Sequence, residues 1–520
     1  MMQRAKMIEN MVNTPHWQVV VIGGGATGLG TALDAATRGY RTLLVEQFDF
    51  AKGTSSRSTK LVHGGVRYLA QGNLKLVIHA LKERGRLLRN APHLAHTQQF
   101  VVPVYSFWSK WFYYLGLVFY DLLAIGWGLG RTRWLSKKKT IAALPFIKTG
   151  NLKGGIQYTD GQFDDSRLCI DLAATAHRYG ATLLNYAAVK AFTKNADNQI
   201  EGLIIHDQLN DEHYNVSADV VINATGVFAH SVMAMDNAAM PEIIAPSQGV
   251  HLVINQSKFQ SKQALMVPKT TDGRVLFAVP WHHKVIVGTT DTPIEQISLE
   301  PKALEEEIQF IIDNYNIYAS NPISMKDVES VYAGLRPLVK KKGSGKSTSV
   351  ISRDHFILVA SSGLITITGG KWTTYRRMAN DVLNHAIQLG KLPKKKAITA
   401  TLPIGQWNWP IPYDTHWHVY GTHALLIQQL MQENAAWEQR IHPNYPYTQA
   451  EVIWFVRNEM AVRVEDVLAR RIRLLLLDAH AAVEAAPLVA RLMQQELQET
   501  DDWREKEINN FTQLAQQYML

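Results

Sequence analysis

Cysteine is almost absent from this 520-residue chain, which carries Cys169 alone. A single thiol excludes a disulfide framework and any cysteine-built zinc or iron–sulfur site, and it fits a reducing compartment. No other metal-ligand pattern is read, so no metal is expected. Charge is also sparse: Asp, Glu, Lys and Arg make up 19% of the residues, against 46% apolar and 9% aromatic. That balance excludes disorder for the bulk of the chain, because disordered segments are charge-rich and aromatic-poor. The N-terminal residues Met1 to Thr14 lack the uninterrupted apolar stretch and small-residue cleavage site of a signal peptide. Internal repeats and low-complexity tracts are absent as well. Acidic residues are the minority charge, 45 against 54 Lys and Arg, which gives a net charge of +9 and a pI near 9.3. Such an excess suits phosphate esters, nucleic acid or an anionic membrane face. The positive charge is dispersed and no nucleic-acid motif accompanies it, so nucleic acid is not an expected partner.

The length allows two to four domains around a sizeable core. Near the N-terminus, the apolar run Gln18 to Ile22 reads as a strand, followed by Gly23-Gly24-Gly25-Ala26-Thr27-Gly28. Leu29 to Arg38 then reads as a helix, and Thr42 to Val45 as a second strand ending at Glu46. This is a βαβ unit of the dinucleotide-binding type. Gly23, Gly25 and Gly28 supply a tight turn, a close approach to a pyrophosphate, and close packing of helix on strand. Glu46 falls at the end of the second strand, where a carboxylate accepts from ribose hydroxyls. Further strands are read at Ala181 to Val189, Leu203 to His206, Val220 to Ala224, Val250 to Ile254, Val275 to Val279, Val285 to Thr289 and Phe356 to Ala360. The order implies an α/β protein, a Rossmann-like dinucleotide-binding domain with an inserted β-rich substrate domain. The expected boundaries are a tail at 1–15, the dinucleotide-binding domain at 16–240 and 341–385, and the substrate domain at 241–340. A proline- and lysine-rich linker covers 386–415. Thr448-Gln449-Ala450-Glu451 is a capping box, and apolar residues recur at helical spacing from Val464, so 416–520 reads as an all-helical C-terminal domain.

Within 96–150 the stretch Trp111 to Gly130 carries one charge, Asp121, among many aromatics. Its length meets the criterion for a membrane span, but its glycines, its central Asp121 and the basic residues on both flanks do not suit one. Two readings follow: a membrane-proximal helix lying flat, with aromatics at headgroup depth, or a helical hairpin buried inside the domain.

Gly53 to Tyr68 packs hydroxyls, His63, Lys60 and Arg67 beside paired glycines, a combination suited to a pyrophosphate and a reacting centre. Gly345-Lys346-Ser347 imitates the end of a P-loop, but the position that needs glycine holds Lys340. Lys340 to Ser349 reads instead as a basic loop over an anionic site.

The ordered motifs resemble the FAD-dependent glycerol-3-phosphate dehydrogenases of the D-amino-acid-oxidase-like flavoproteins. They are Ile22 to Asp34 with Arg38-Gly39, Lys60 to Leu69, Asn223-Ala224-Thr225-Gly226, Gly288 to Asp291, Gly334 to Leu338, Ser352-Arg353-Asp354 and Gly369 to Ala379. Val464 to Arg471 resembles the family's C-terminal domain. Leu29 departs from the pattern, which prefers a small residue there. The resemblance implies oxidation of glycerol 3-phosphate to dihydroxyacetone phosphate, with hydride passing from C2 to flavin N5. It implies FAD contacts from Gly23, Gly25, Ala26, Thr27, Gly28, Glu46, Gln47, Thr54, Ser55, Ser58, Lys60, Leu61, Val189, Gly226, Gly370, Lys371, Trp372 and Thr373. Arg67, Tyr68, Arg336, Arg353 and Lys371 fall at the substrate positions, where guanidinium forks match phosphate oxygens. His63, His251 and Arg336 stay open as the group that handles the hydroxyl proton or its charge. The partners implied are glycerol 3-phosphate, a quinone acceptor, an anionic membrane surface and a second copy of the chain. The expected place is the cytoplasm, on the inner face of the cell membrane. Two alternatives stand beside this: a glycerol-3-phosphate oxidase producing hydrogen peroxide, and a catalytically decayed flavin-fold binding module.

Overall fold

The valine-rich run Trp17–Ile22 sits between parallel neighbours on both sides, Thr42–Val45 and Glu212–Asn223. Val19, Val20 and Val21 are wholly buried, as a parallel strand covered on both faces requires. The computed structural model describes residues 1–66, 69, 72–340, 355–407 and 415–520. The first sheet runs in the spatial order His355–Val359, Ile365–Gly369, Glu212–Asn223, Trp17–Ile22, Thr42–Val45, Thr182–Leu184. The glycine turn leads from its central strand into the helix Ala26–Thr37. Where a single strand is expected over 181–189, the chain forms two, because Tyr186 adopts a left-handed φ of 55° between them.

A second, mostly antiparallel sheet is built around Ile244–Asn255, Val328–Val339, Lys284–Gly288, Leu276–Trp281 and Ala264–Val267. It also takes in Ala95–Val104, Gly154–Phe163, Arg133–Ser136 and Leu61–Val62. The β-rich layer is therefore larger than the expected 241–340 segment. It recruits strands from the 61–163 stretch through the parallel contact of Leu265 with Val101.

The helices Gln449–Glu459, Ala479–Leu497 and Asp501–Ala515 make the C-terminal part helical, with the expected Thr448–Glu451 capping box at the first of them. Its apolar residues share one core with the first sheet. Buried ion pairs lock the two together: Asp49 holds both Arg470 and Arg471, and Arg167 holds Glu459. Two segments expected to be loose are packed instead. Residues Arg4–Asn13 form a helix that buries Met7 and Met11, and Arg4 pairs with Asp207 at 2.6 Å. Leu392, Leu402 and Ile404 are buried along the first layer, and Tyr40 donates to the Pro393 carbonyl at 2.5 Å.

The aromatic stretch is the helix Phe107–Leu123. It buries Leu117 and Tyr120 but leaves Trp108 82%, Phe112 70% and Leu115 60% exposed, with Phe119, Leu122 and Ile125 continuing the same apolar stripe. The structure thus corrects the buried-hairpin reading, because one face of the helix has nothing to pack on. Among the described residues, no helix is long and apolar enough to cross a membrane.

Candidate active site

A cavity of about 710 Å³ runs between the two sheets, in the size range of cofactor sites. At one end the glycine turn meets Glu46. The Gly24 N–H donates to Glu46 Oε2 at 2.5 Å and the Phe48 N–H to Oε1 at 2.9 Å. Burial raises the carboxyl's pKa, and those two amides oppose the shift. The turn leaves no room for side chains: a Cβ on Gly28 would lie 1.8 Å from the Gly23 carbonyl oxygen. Gly23 itself takes φ +109° against the Ala224 carbonyl, a conformation that L side chains rarely adopt. Leu29, the departure noted in the sequence, is wholly buried in the core of the layer.

In the cavity lining, Ser55 joins three segments. Its Oγ accepts from the Ala26 N–H at the start of the helix, and its carbonyl accepts from Trp372 Nε1, both at 2.9 Å. Thr54 donates to the Leu335 carbonyl at 2.6 Å and so ties this loop to the strand that carries Arg336.

His63, His251, Arg336 and Lys371 line the same cavity. Arg336 donates to the Gln248 carbonyl at 3.2 Å and to Thr289 Oγ1 at 3.2 Å, and it pairs with Asp291 at 3.4 Å. Gly249 makes the space for it, since a Cβ there would meet Arg336 Nη2 at 2.2 Å. His251 stacks on Tyr332 with centroids 4.8 Å apart, and its Nε2 bonds Thr59 Oγ1 at 2.8 Å. Its Nδ1 has no hydrogen-bond partner among the described residues.

The same cavity is lined by Gly23, Gly25, Ala26, Thr27, Glu46, Gln47, Thr54, Ser55, Ser58, Leu61, Val189, Gly226, Gly370, Trp372 and Thr373. Two expected contacts fall outside it. Gly28 supports the turn from behind, as its closeness to Gly23 dictates. Lys60 corrects its sequence reading: its ammonium is wholly buried against Asp165 at 2.7 Å and the Ser56 carbonyl at 2.6 Å. A desolvated ammonium so paired shapes the 56–60 loop and does not reach the cavity. Arg67, Tyr68, Arg353 and the P-loop imitation at 345–347 lie outside the described residues. Sequence reading missed Asp160, Thr59 and Tyr332. Thr59 lies within the Gly53 to Tyr68 stretch and Tyr332 two residues before Gly334, whereas Asp160 lies in no motif, and only the fold brings it to His63 and Tyr332 onto His251.

Both histidines are held neutral. Burial pushes His63 down to about 4, Lys371 and Arg84 push the same way, and Asp160 opposes them. Burial, then Arg336 and Lys60, pushes His251 well below the ordinary imidazole value. An unfolded histidine takes its proton near pH 6.5, so between there and about 4 the unfolded chain binds more protons than the folded one. Folding stability should therefore fall as pH drops from 6.5 toward 4. We expect a lower melting temperature at pH 5 than at pH 7, with the difference reduced in His63→Gln. An unchanged pH slope in that variant counts against the neutral assignment.

The model of the FAD-dependent oxidoreductases matches residues 18–376, and that of the C-terminal domain of alpha-glycerophosphate oxidase matches residues 365–507. The mitochondrial glycerol-3-phosphate dehydrogenase SDP6 of Arabidopsis thaliana is 40% identical over 92% of this chain and 82% of its own. The mitochondrial glycerol-3-phosphate dehydrogenase of Bos taurus is 39% identical over 97% of this chain and 74% of its own. Among solved structures, the glycerol-3-phosphate dehydrogenase of Bacillus halodurans complexed with FAD superposes with a TM-score of 0.81 at 28% identity, covering 99% of this chain and 97% of that one.

Proposed function

We propose that this chain, which belongs to the glycerol-3-phosphate dehydrogenases among the FAD-dependent oxidoreductases, oxidises sn-glycerol 3-phosphate to dihydroxyacetone phosphate and delivers the electrons to a membrane quinone. The chain is an enzyme and its cofactor is FAD. The cavity fits that cofactor: a side-chain-free turn and a helix N-terminus suit the pyrophosphate, and Glu46 suits the ribose. When bound, FAD supplies the hydride acceptor; binding and proton handling fall to the protein.

The observation that carries the reading is that Arg336, Lys371, His63 and His251 line one cavity, with Lys371 near enough to His63 and Arg336 near enough to His251 to oppose a charge on each ring. Arg336 is fixed from three sides, so its guanidinium is preorganised for an anionic oxygen at little further cost. His63 is assigned the hydroxyl proton. Its ring is half-buried and neutral, and Asp160 favours the charged form that results. His251 is less available because Thr59 occupies its Nε2. Arg67, Tyr68 and Arg353 are assigned to the substrate from the motif alone.

The exposed stripe of Phe107–Leu123 supports quinone over oxygen. A long-tailed quinone stays in the bilayer, so its reductase must sit against lipid, and this helix offers an apolar face with Lys137 to Lys139 exposed nearby in the chain. The helix's inner face packs in the same cluster as the cavity residues Leu61, Phe100, Tyr158 and Met266. These features support a peripheral seat on a membrane, which we assign to the inner face of the cell membrane. Burying each large side chain contributes about 1.5–3 kcal/mol. Changing Trp108, Phe112 and Leu115 together to Ser should move the protein from the pellet to the supernatant in co-sedimentation with anionic vesicles. Lys137, Lys138 and Lys139 changed to Glu should weaken binding most at low salt. Equal recovery of all three proteins in the supernatant would remove the membrane seat.

The test of the whole reading is anaerobic mixing with glycerol 3-phosphate while the flavin absorbance is followed. Bleaching, then slow recovery in air and fast recovery with a quinone analogue, is the expected result. Fast recovery in air with peroxide release would favour the oxidase. The family leaves the decayed-module reading without support.

A further inference from the structure

We propose that Tyr120 is a positioning residue for the turn His63-Gly64-Gly65, which it holds through a single hydroxyl shared between Asp160 and the Gly64 amide. The hydroxyl donates to Asp160 Oδ2 at 2.7 Å and accepts from the Gly64 N–H at 2.7 Å. Burial, with the Asp160 charge adding, keeps it protonated and therefore a donor. The other carboxylate oxygen of Asp160 is occupied by Arg84 Nη1 at 2.8 Å and by the Gly161 N–H at 3.0 Å. Arg84 is anchored in turn on the Trp127 carbonyl at 3.1 Å. The carboxylate is thus satisfied and its place is set from several elements.

Ring packing does not need this hydroxyl. Tyr120 lies among Leu76, Val77, Leu81 and Ala124, which a phenyl group would fill equally well. The oxygen has a different use. A Cβ on Gly64 would meet it at 2.6 Å, so the backbone of the turn rests directly on it. The other bond to this turn, from Thr373 Oγ1 to the His63 carbonyl, is only 3.5 Å, a weak pin. Without the hydroxyl, the Gly64 N–H is left buried and unpaired, and the turn must shift to satisfy it. His63, Gly65 and Asp160 all line the cavity, so that shift displaces cavity wall. Tyr120 belongs to the helix with the exposed apolar stripe, which links that outer helix to the cavity through one bond.

This inference rests on the reading that the turn faces the flavin and the substrate. Its test is Tyr120→Phe in the FAD-loaded enzyme, reduced anaerobically by glycerol 3-phosphate in a stopped-flow instrument. We expect wild-type flavin content, a roughly tenfold lower limiting reduction rate, an apparent substrate Kd within twofold of wild type, and an altered visible circular dichroism of the flavin. Tyr445→Phe is the control, since it removes a buried hydroxyl bonded at 2.7 Å to Asp478 in the helical C-terminal part. It should leave rate and dichroism unchanged. The proposal is overturned if Tyr120→Phe matches wild type in both, or if Tyr445→Phe slows reduction equally. Should Tyr120→Phe not load FAD, 3-fluorotyrosine at position 120 keeps the ring and weakens the hydroxyl as an acceptor. An unchanged rate and dichroism there overturn the proposal as well. If wild type itself is not bleached by the substrate, the substrate reading fails instead, and the dichroism still reports the turn.

Discussion

Arg336→Ala is expected to slow flavin reduction by glycerol 3-phosphate about 10- to 150-fold while FAD stays bound. The range follows from losing one charge-assisted contact, about 1.5–3 kcal/mol, at 1.36 kcal/mol per tenfold. The side chain reaches the cavity from the strand Val328–Val339, opposite Ser247, and Asp291 braces it at 3.4 Å. Its contacts hold the guanidinium and make none of the bonds that shape the glycine turn, so flavin content should not change. Arg336→Lys should fall between the two, because an ammonium keeps the charge but loses the planar fork. Stopped-flow reduction and the flavin-to-protein absorbance ratio measure the two halves separately. Wild-type rate and saturation in Arg336→Ala would remove this residue from the substrate site.

The second large effect is expected at the glycine turn. Gly28→Val should yield protein without flavin, with a lower melting temperature. The Cβ alone would stand 1.8 Å from the Gly23 carbonyl oxygen, a backbone atom that cannot rotate away. Relief requires the helix Ala26–Thr37 to move off the strand Trp17–Ile22, which opens the place prepared for the pyrophosphate. Overpacking of this kind costs about 1–3 kcal/mol or more before any loss of cofactor stabilisation. Gly116→Ala is the matched control, because nothing lies within 4 Å of a Cβ there. Flavin retained by Gly28→Val after dialysis would show that the turn yields more easily than its geometry indicates.

Both effects differ in how early they could be seen. The Gly23–Gly28 turn and Glu46 were legible because everything they need is local: a strand, a turn, a helix and a second strand within about thirty residues. Trp17–Ile22, Ala26–Thr37 and Thr42–Val45 lie within a few residues of their expected bounds. The capping box at Thr448 was legible for the same reason. Lys60 shows the opposite case. Its neighbours in the chain placed it in a cofactor motif, whereas Asp165, 105 residues away, decides where its ammonium goes.

By itself, then, the sequence determined the class of protein: a dinucleotide turn, a β-rich insertion, a helical C-terminal part, and the motif order that marks the family. Periodicity and turn chemistry are properties of short stretches, and short stretches carry them in full. Tertiary structure alone decided which side chains meet. It put Tyr332 against His251, Asp160 beside His63, Tyr120 under Gly64 and strands from the 61–163 stretch into the second sheet. It also decided that Phe107–Leu123 leaves an aromatic face uncovered. The physical reason is one of range. A hydrogen bond or an apolar contact acts over a few ångströms, and partners separated by tens to hundreds of residues come within that distance only after the chain has closed around its core.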